Sequence, residues 1–319
     1  MVFHVSLQRL RVNKWRRQLW AATAVAVLVS LAGLTLSWIT PAIGSPLRPG
    51  LEFTGGTQIQ LERVCDDTCP PLTVAEITQA VVRLTLPAEG DNPSPPLNGV
   101  SVQLLDEGRL LVLRLPTLTA GQGQALVDQL VPVVGDLVSG SLAVETIGPI
   151  LGKQLLFSSL ISLLVSLAGI AAYITIRYDR TFAVLALLCL GHDVLITCGI
   201  FAWLGVLVGL EVNSLFAVAL LTIAGYSVND TVVVFDRIRE KRTQLKGRSI
   251  SEQADAAVSA TLTRSVYTTF TTLLPLVALI LFGGSTLFWF AVALSIGILT
   301  GAWSSITLAP TLLPLFTRR

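Results

Sequence analysis

His192 and Asp193 sit inside one long apolar run, and Asn229 and Asp230 sit inside the next. Arg264 opens a third, on a stripe with Thr261, Thr268 and Thr272 at steps of three and four, which predicts one hydrophilic helix face that looks inward. An ionisable side chain in hydrocarbon is costly unless it is paired, hydrated or neutralised. Asp230 escapes that cost by pairing with Arg264 or by taking up a proton. Burial disfavours its charged form and a nearby guanidinium favours it, so a carboxyl between the two acts as a proton switch. The plainer readings stand beside this one. Arg264 snorkels to the membrane surface, Asp230 is a static structural partner, and His192 is a satisfied interior histidine.

The elements that must position these groups are membrane spans. The chain has 319 residues, 52% hydrophobic and 13% charged, with mean hydropathy +0.72. A span takes about 20 mostly apolar residues. Six stretches qualify: Leu19–Ile39, Leu155–Ile176, Phe182–Val208, Val212–Phe235, Val266–Phe282 and Leu287–Leu308. The first is too long for the core of a cleaved signal peptide and reads as an uncleaved anchor. Small-residue stripes predict close helix packing: Ala22, Ala26 and Ser30; Ser158, Ser162 and Ser166; Gly297 and Gly301.

Lys and Arg gather before the first span (Arg9, Arg11, Lys14, Arg16, Arg17), at Arg177 and Arg180, between Arg237 and Arg248, at Arg264 and at Arg318 and Arg319. The connections after the third and fifth spans hold neither. The positive-inside rule therefore predicts cytoplasmic termini. The predicted layout is a cytoplasmic segment over 1–18, a first helix over 19–39, an extracytoplasmic domain over 44–154, and a five-helix bundle over 155–316 with a cytoplasmic loop over 237–262. Acidic residues outnumber basic ones in the outside domain, so a nucleic-acid partner is not expected there.

That domain is long enough for its own core. Leu51–Val64 reads as a strand and Thr73–Leu86 as a helix, with Thr73 as N-cap and Glu76 three residues on. Val100–Leu105 and Leu110–Leu115 flank Asp106-Glu107-Gly108-Arg109, a hairpin signal. Thr119–Leu137 reads as a helix carrying Pro132, and Ser141–Ile147 as a last strand. Asp91–Pro96 is a Pro-rich loop. The order β-α-β-β-α-β predicts a ferredoxin-like α+β fold. Cys65 and Cys69 enclose Asp-Asp-Thr and are either a disulfide or two surface thiols. Cys189 and Cys198, nine apart in the third span, read as packing residues.

The stretch GYSVNDTVVVFDRIRE closely resembles the fourth membrane helix of the SecF branch of the SecD/SecF family, protein-export membrane proteins of the RND superfamily. GLEFTGGTQIQL resembles the GLDFTGGT segment that follows the family's first helix, with Glu52 where the family usually has Asp. GHDVLIT and ATLTRSVYTTFTTL also match, and the resemblance covers nearly the whole chain. It implies a multi-pass protein of the bacterial plasma (inner) membrane, six helices with one extracytoplasmic ferredoxin-like domain. It implies pairing with SecD as a 12-helix unit beside SecYEG, with SecA, YajC and unfolded preprotein as further partners. The implied function is promotion of preprotein translocation by the proton motive force, with Na⁺ as the other candidate ion and no bound cofactor or metal. Asp230 and Arg264 match the family's proton-path positions, with Asn229 and Asp193 as supporting polar groups. Glu52, Gly55 and Gly56 carry the domain motif that meets preprotein.

Two other readings fit less well. A stand-alone RND-type proton-coupled exporter usually holds two such halves in one chain. An intramembrane aspartyl protease would use Asp193 and Asp230, but the sequence before Asp230 is Ser-Val-Asn rather than Gly-x-Gly. With no G-x-S-x-G, phosphate loop or metal-ligand spacing, no enzyme activity is expected.

Overall fold

The computed structural model describes residues 11–65, 69–88, 94–97 and 100–317. Arg9, Asp66, Asp67, Thr68, Asp91, Asn92, Pro93, Arg318 and Arg319 lie outside the described residues, so the expectations on them do too. The chain forms two compact units, Pro49–Ser158 and the remainder.

In the first unit Leu51–Thr54 is not strand but a helical turn, α2. Gly50 is extended and Gly55 has φ +71°, a conformation L side chains rarely adopt, so the turn is bracketed and the strand starts only at Gly56. A Cβ on Gly55 would lie 2.9 Å from Pro149 Cα, and one on Gly56, 2.7 Å from the Leu115 carbonyl oxygen. The two glycines are therefore needed for the close approach of α2, the sheet and the helix that begins at Pro149. β1 (Gly56–Glu62), α3 (Val74–Arg83), β2 (Ser101–Leu105), β3 (Leu110–Leu115), α4 (Ala120–Val134) and β4 (Ala143–Ile147) follow in the predicted order. The sheet is antiparallel, β2-β3-β1-β4, which is the ferredoxin-like arrangement. Alternation turns Ile59 and Leu61 of β1 and Leu111 and Leu113 of β3 toward Ile77 and Val81 of α3 and Leu126 and Leu130 of α4. Thr73 caps α3 in a reciprocal bond pair with Glu76, as the spacing predicts, and Thr119 does the same for α4 with Gln122. α4 tolerates Pro132 because it ends within a turn, at Gly135. Cys65 and Cys69 form a disulfide, with Cα atoms 4.8 Å apart.

The second unit is helical. α1 (Arg16–Ile39) comes first; α5 (Pro149–Arg177) begins within the first unit, which ends at Ser158, and is followed by α6 (Arg180–Val208), α7 (Ser214–Gln244), α8 (Ile250–Phe282) and α9 (Gly284–Trp303). A π turn, Ser304–Leu308, joins α9 to α10 (Ala309–Phe316). Among the described residues, six helices are long and apolar enough to cross a membrane: Val12–Ile39, Pro149–Arg177, Arg180–Leu207, Ser214–Gln244, Ile250–Phe282 and Leu287–Phe316. The segment read as a loop over 237–262 is helical except for residues 245–249. The pair Arg237–Glu240 supports the end of α7, and a Ser249–Glu252 capping box starts α8.

Small residues bring the helices together, though not always the predicted ones. A Cβ on Gly199 of α6 would lie 2.2 Å from Ser30 Cβ of α1, and one on Gly297 of α9, 2.3 Å from Ile223 of α7. The buried stripe of α1 is Ser30, Gly33 and Ser37, while Ala22 is exposed. Ser158 and Ser162 of α5 are exposed too, and only Ser166 of that stripe is half-buried.

Candidate functional site

The polar centre of the bundle lies where α6, α7, α8 and the π turn meet. Asp193 of α6 is fully buried. Its Oδ2 accepts hydrogen bonds from Ser227 Oγ of α7 at 2.6 Å and from Ser304 Oγ of the π turn at 2.8 Å. Its Oδ1 lies 2.9 Å from His192 Nδ1, a geometry that fits a ring nitrogen donating. Asp230 of α7 is 6% exposed; its Oδ1 accepts from Ser265 Oγ of α8 at 3.1 Å, and its Oδ2 from Ser305 Oγ of the π turn.

Helical spacing puts these groups in place. Ser227 and Asp230 are three apart and share the inner face of α7. Gly301 keeps α9 close enough to close the site: a Cβ there would lie 3.4 Å from Ser227 Cα and 3.6 Å from Asp193 Oδ2. Cys189, one turn before Asp193, is buried, and its Sγ reaches the Ser304 carbonyl at 4.0 Å.

The structure thus brings Asp193 and Asp230 together and leaves two predicted residues outside. Asn229 is exposed on the outer side of α7, because its neighbour Asp230 takes the inner face and successive residues point about 100° apart. Arg264 is exposed on α8 and makes no ion pair with Asp230. The inward stripe of α8 is not Thr261, Arg264, Thr268 and Thr272 but Thr261, Ser265 and Thr269, all buried, with Thr268 exposed. Both stripes share Thr261; a step of four rather than three turns the helix face past Arg264 and puts Ser265 against Asp230. Asp230 in this state is held by hydroxyls. Ser227, Ser265, Ser304 and Ser305, none of them singled out in the sequence, are the donors. Their signal was Ser227 three before Asp230 and a Ser-Ser pair ahead of Pro310.

Chemically, these are two buried carboxyls with neutral donors. A buried charge needs compensation, and hydroxyl donors supply part of it. Each carboxyl faces its own serines and neither hydrogen-bonds the other, which separates the pair from a dyad sharing one proton. Glu52, Gly55 and Gly56 belong to the other unit, in α2 and at the start of β1.

The description "Protein export membrane protein SecD/SecF, C-terminal" matches residues 134–319, and "SecD/SecF GG Motif" matches residues 43–65. The chain is 51% identical over 304 residues to protein translocase subunit SecF of Prochlorococcus marinus, covering 95% of this chain and 94% of that one. It is 35% identical to protein translocase subunit SecDF of Thermus thermophilus over 84% of this chain and 34% of the relative. The crystal structure of SecDF from Thermus thermophilus, a translocon-associated membrane protein, matches 100% of this chain and 40% of that one, with TM-score 0.80 and 30% identity. The chain therefore spans about two-fifths of the fused protein's solved structure.

Proposed function

The chain belongs to the SecD/SecF family of protein-export membrane proteins, and from that premise we propose that it is an ion-driven accessory subunit of Sec export. With a SecD partner it uses proton flow to help draw preprotein through SecYEG after SecA; YajC is a further partner and Na⁺ the other candidate ion. The observation that carries this reading is the pair of buried carboxyls on neighbouring helices, each held by two serine hydroxyls, with His192 beside Asp193.

Protonation of Asp230 turns an acceptor-only carboxylate into a group with a donor, so its serine partners must re-pair and the packing of α7 against α8 and the π turn changes. A membrane potential of about 100 mV supplies about 2.3 kcal/mol per charge, enough to shift a two-state equilibrium by tens of fold. A fused relative and its structure supply the case for a SecD partner. The polar residues left on the outside of α7 and α8, Asn229, Arg264, Thr268 and Thr271, suit a face covered by that second half rather than by lipid. Arg264 enters the path there, as a cation that approaches Asp230 in another state. The protein sits in the bacterial plasma membrane with both termini cytoplasmic and the α/β domain on the far side, where it meets the emerging chain.

Export of a secretory reporter in inverted membrane vesicles, with and without an imposed gradient, tests this. The gradient should speed export in wild type and not in Asp230→Asn or Arg264→Met, with assembly intact. An equal response in all three would make the groups structural.

A further inference from the structure

Ser304 and Ser305 are consecutive, yet each reaches a carboxyl on a different helix: Ser304 bonds Asp193 of α6 and Ser305 bonds Asp230 of α7. They open the π turn, in which the Ala309 N–H donates to the Ser304 carbonyl five residues back. Such turns are rare inside helices and recur at functional sites. The sequence supplies the cause of this one. Pro310 has no N–H for the Ile306 carbonyl, and its ring would crowd that carbonyl in a regular helix. A wider turn just ahead of it relieves the crowding.

Each serine has a second acceptor within reach. Ser304 Oγ is 3.1 Å from the Gly301 carbonyl and Ser305 Oγ is 3.0 Å from the Ala302 carbonyl. A hydroxyl has one proton and can give it to only one of the two. We propose that Ser304 and Ser305, set by the Pro310 π turn, are positioning residues that form a two-position clasp coupling the protonation of Asp193 and Asp230. The proposal rests on the reading of Asp230 as the proton acceptor.

With Asp230 charged, Ser305 donates to Oδ2. When a proton arrives on that carboxyl, its new O–H donates to Ser305 Oγ, and the serine proton turns to the Ala302 carbonyl. Ser304 is the adjacent residue on the same wide turn, so the rearrangement reaches Asp193 without a charged relay between them. The charged or titratable groups near the pair are His192 and Cys189 from α6 and, exposed on the outer side of α8 but within electrostatic reach of Asp230, Arg264; the π turn brings none.

The test is gradient-driven export as a function of pH in inverted vesicles carrying the full chain with its partner subunit. Asp230→Asn should remove the gradient response at every pH. Ser305→Ala should keep a response but move its midpoint about one unit toward higher pH, because the charged carboxylate has lost a donor. Ser305→Thr should restore the wild-type midpoint. Ser304→Ala, whose serine bonds the other carboxyl, and Pro310→Ala should move the midpoint too. If Asp230→Asn is inactive while Ser304→Ala and Ser305→Ala keep the wild-type midpoint, the clasp is wrong and the function stands. A full response in Asp230→Asn overturns both. Co-purification with the partner reports folding, and the serine variants decide the matter if Pro310→Ala does not assemble.

Discussion

Arg63 and Asp230 are both ionisable groups hidden from solvent, 5% and 6% exposed, and the chain satisfies them in opposite ways. Arg63, just past the end of β1, donates among the described residues to three backbone carbonyls: Val134 at 2.7 Å, Gly108 at 3.0 Å and Pro70 at 3.3 Å. Its guanidinium does not lose its proton and a carbonyl can only accept, so this set has one arrangement. Asp230 and Asp193 bond serine hydroxyls, which rotate and can donate or accept. Similar burial therefore makes a rivet in the α/β domain, and in the bundle a set of bonds that can rearrange, as the proposed switch requires. The rivet ties the end of α4, the β2–β3 hairpin and the segment after the disulfide to one side chain.

Neutralising each group should break the comparison open. Asp193→Asn should lower gradient-driven export at least ten-fold while leaving the bundle's thermal unfolding near wild type, since the amide oxygen still accepts from Ser227 and Ser304. Arg63→Met should do the reverse: the α/β domain loses about 3 kcal/mol, because three carbonyls lose their donor. Hydrogen exchange of β1 and α4 amides would report that loss. An unfolded bundle in Asp193→Asn, or an unchanged domain in Arg63→Met, would reverse the assignment.

The legibility of the two regions differs for the same reason. The α/β domain is built from local signals, capping boxes, alternation and a hairpin, so its order and sheet class could be read directly; the exception, α2, depends on Gly55 meeting Pro149 nearly a hundred residues later. The bundle's spans and both aspartates could be read as well. What could not be read was rotation about each helix axis. Choosing Arg264 over Ser265, or Asn229 with Asp230, is a matter of one residue, and in a helix that is apolar nearly all round no moment fixes the inner face. The π turn compounds this, because it shifts the phase of everything after Ser304.

The disulfide sharpens the picture of the rivet. Cys65 and Cys69 close a five-residue loop, and the next residue, Pro70, gives its carbonyl to Arg63. Replacing both cysteines by serine should cost about 2 kcal/mol by loop-closure entropy. Denaturation with and without reductant would measure it. Combined with Arg63→Met the loss should be less than additive, since the disulfide stabilises partly by holding Pro70 for a donor that is then gone.

The smallest effect concerns a hydroxyl–carboxylate bond on an exposed helix start, where the hydroxyl also caps the helix. Thr73 Oγ1 and N–H both donate to Glu76 Oε2 at 2.8 Å on the exposed start of α3. The backbone bond first, then the hydroxyl, holds the Glu76 carboxyl below its ordinary 4.5. A folded value below the unfolded one gives stability that is present above about 4.5 and lost as pH falls through the folded value. Thr73→Ala should therefore cost the domain about 1 kcal/mol at neutral pH as a lost N-cap. Its acid limb should be shallower than wild type, so the two unfolding curves converge below pH 4 or so. If they stay parallel, the cap acts through helix geometry and not through the carboxylate. In that case a serine–carboxylate bond in the bundle would need its burial, and not merely its chemistry, to couple a proton to structure.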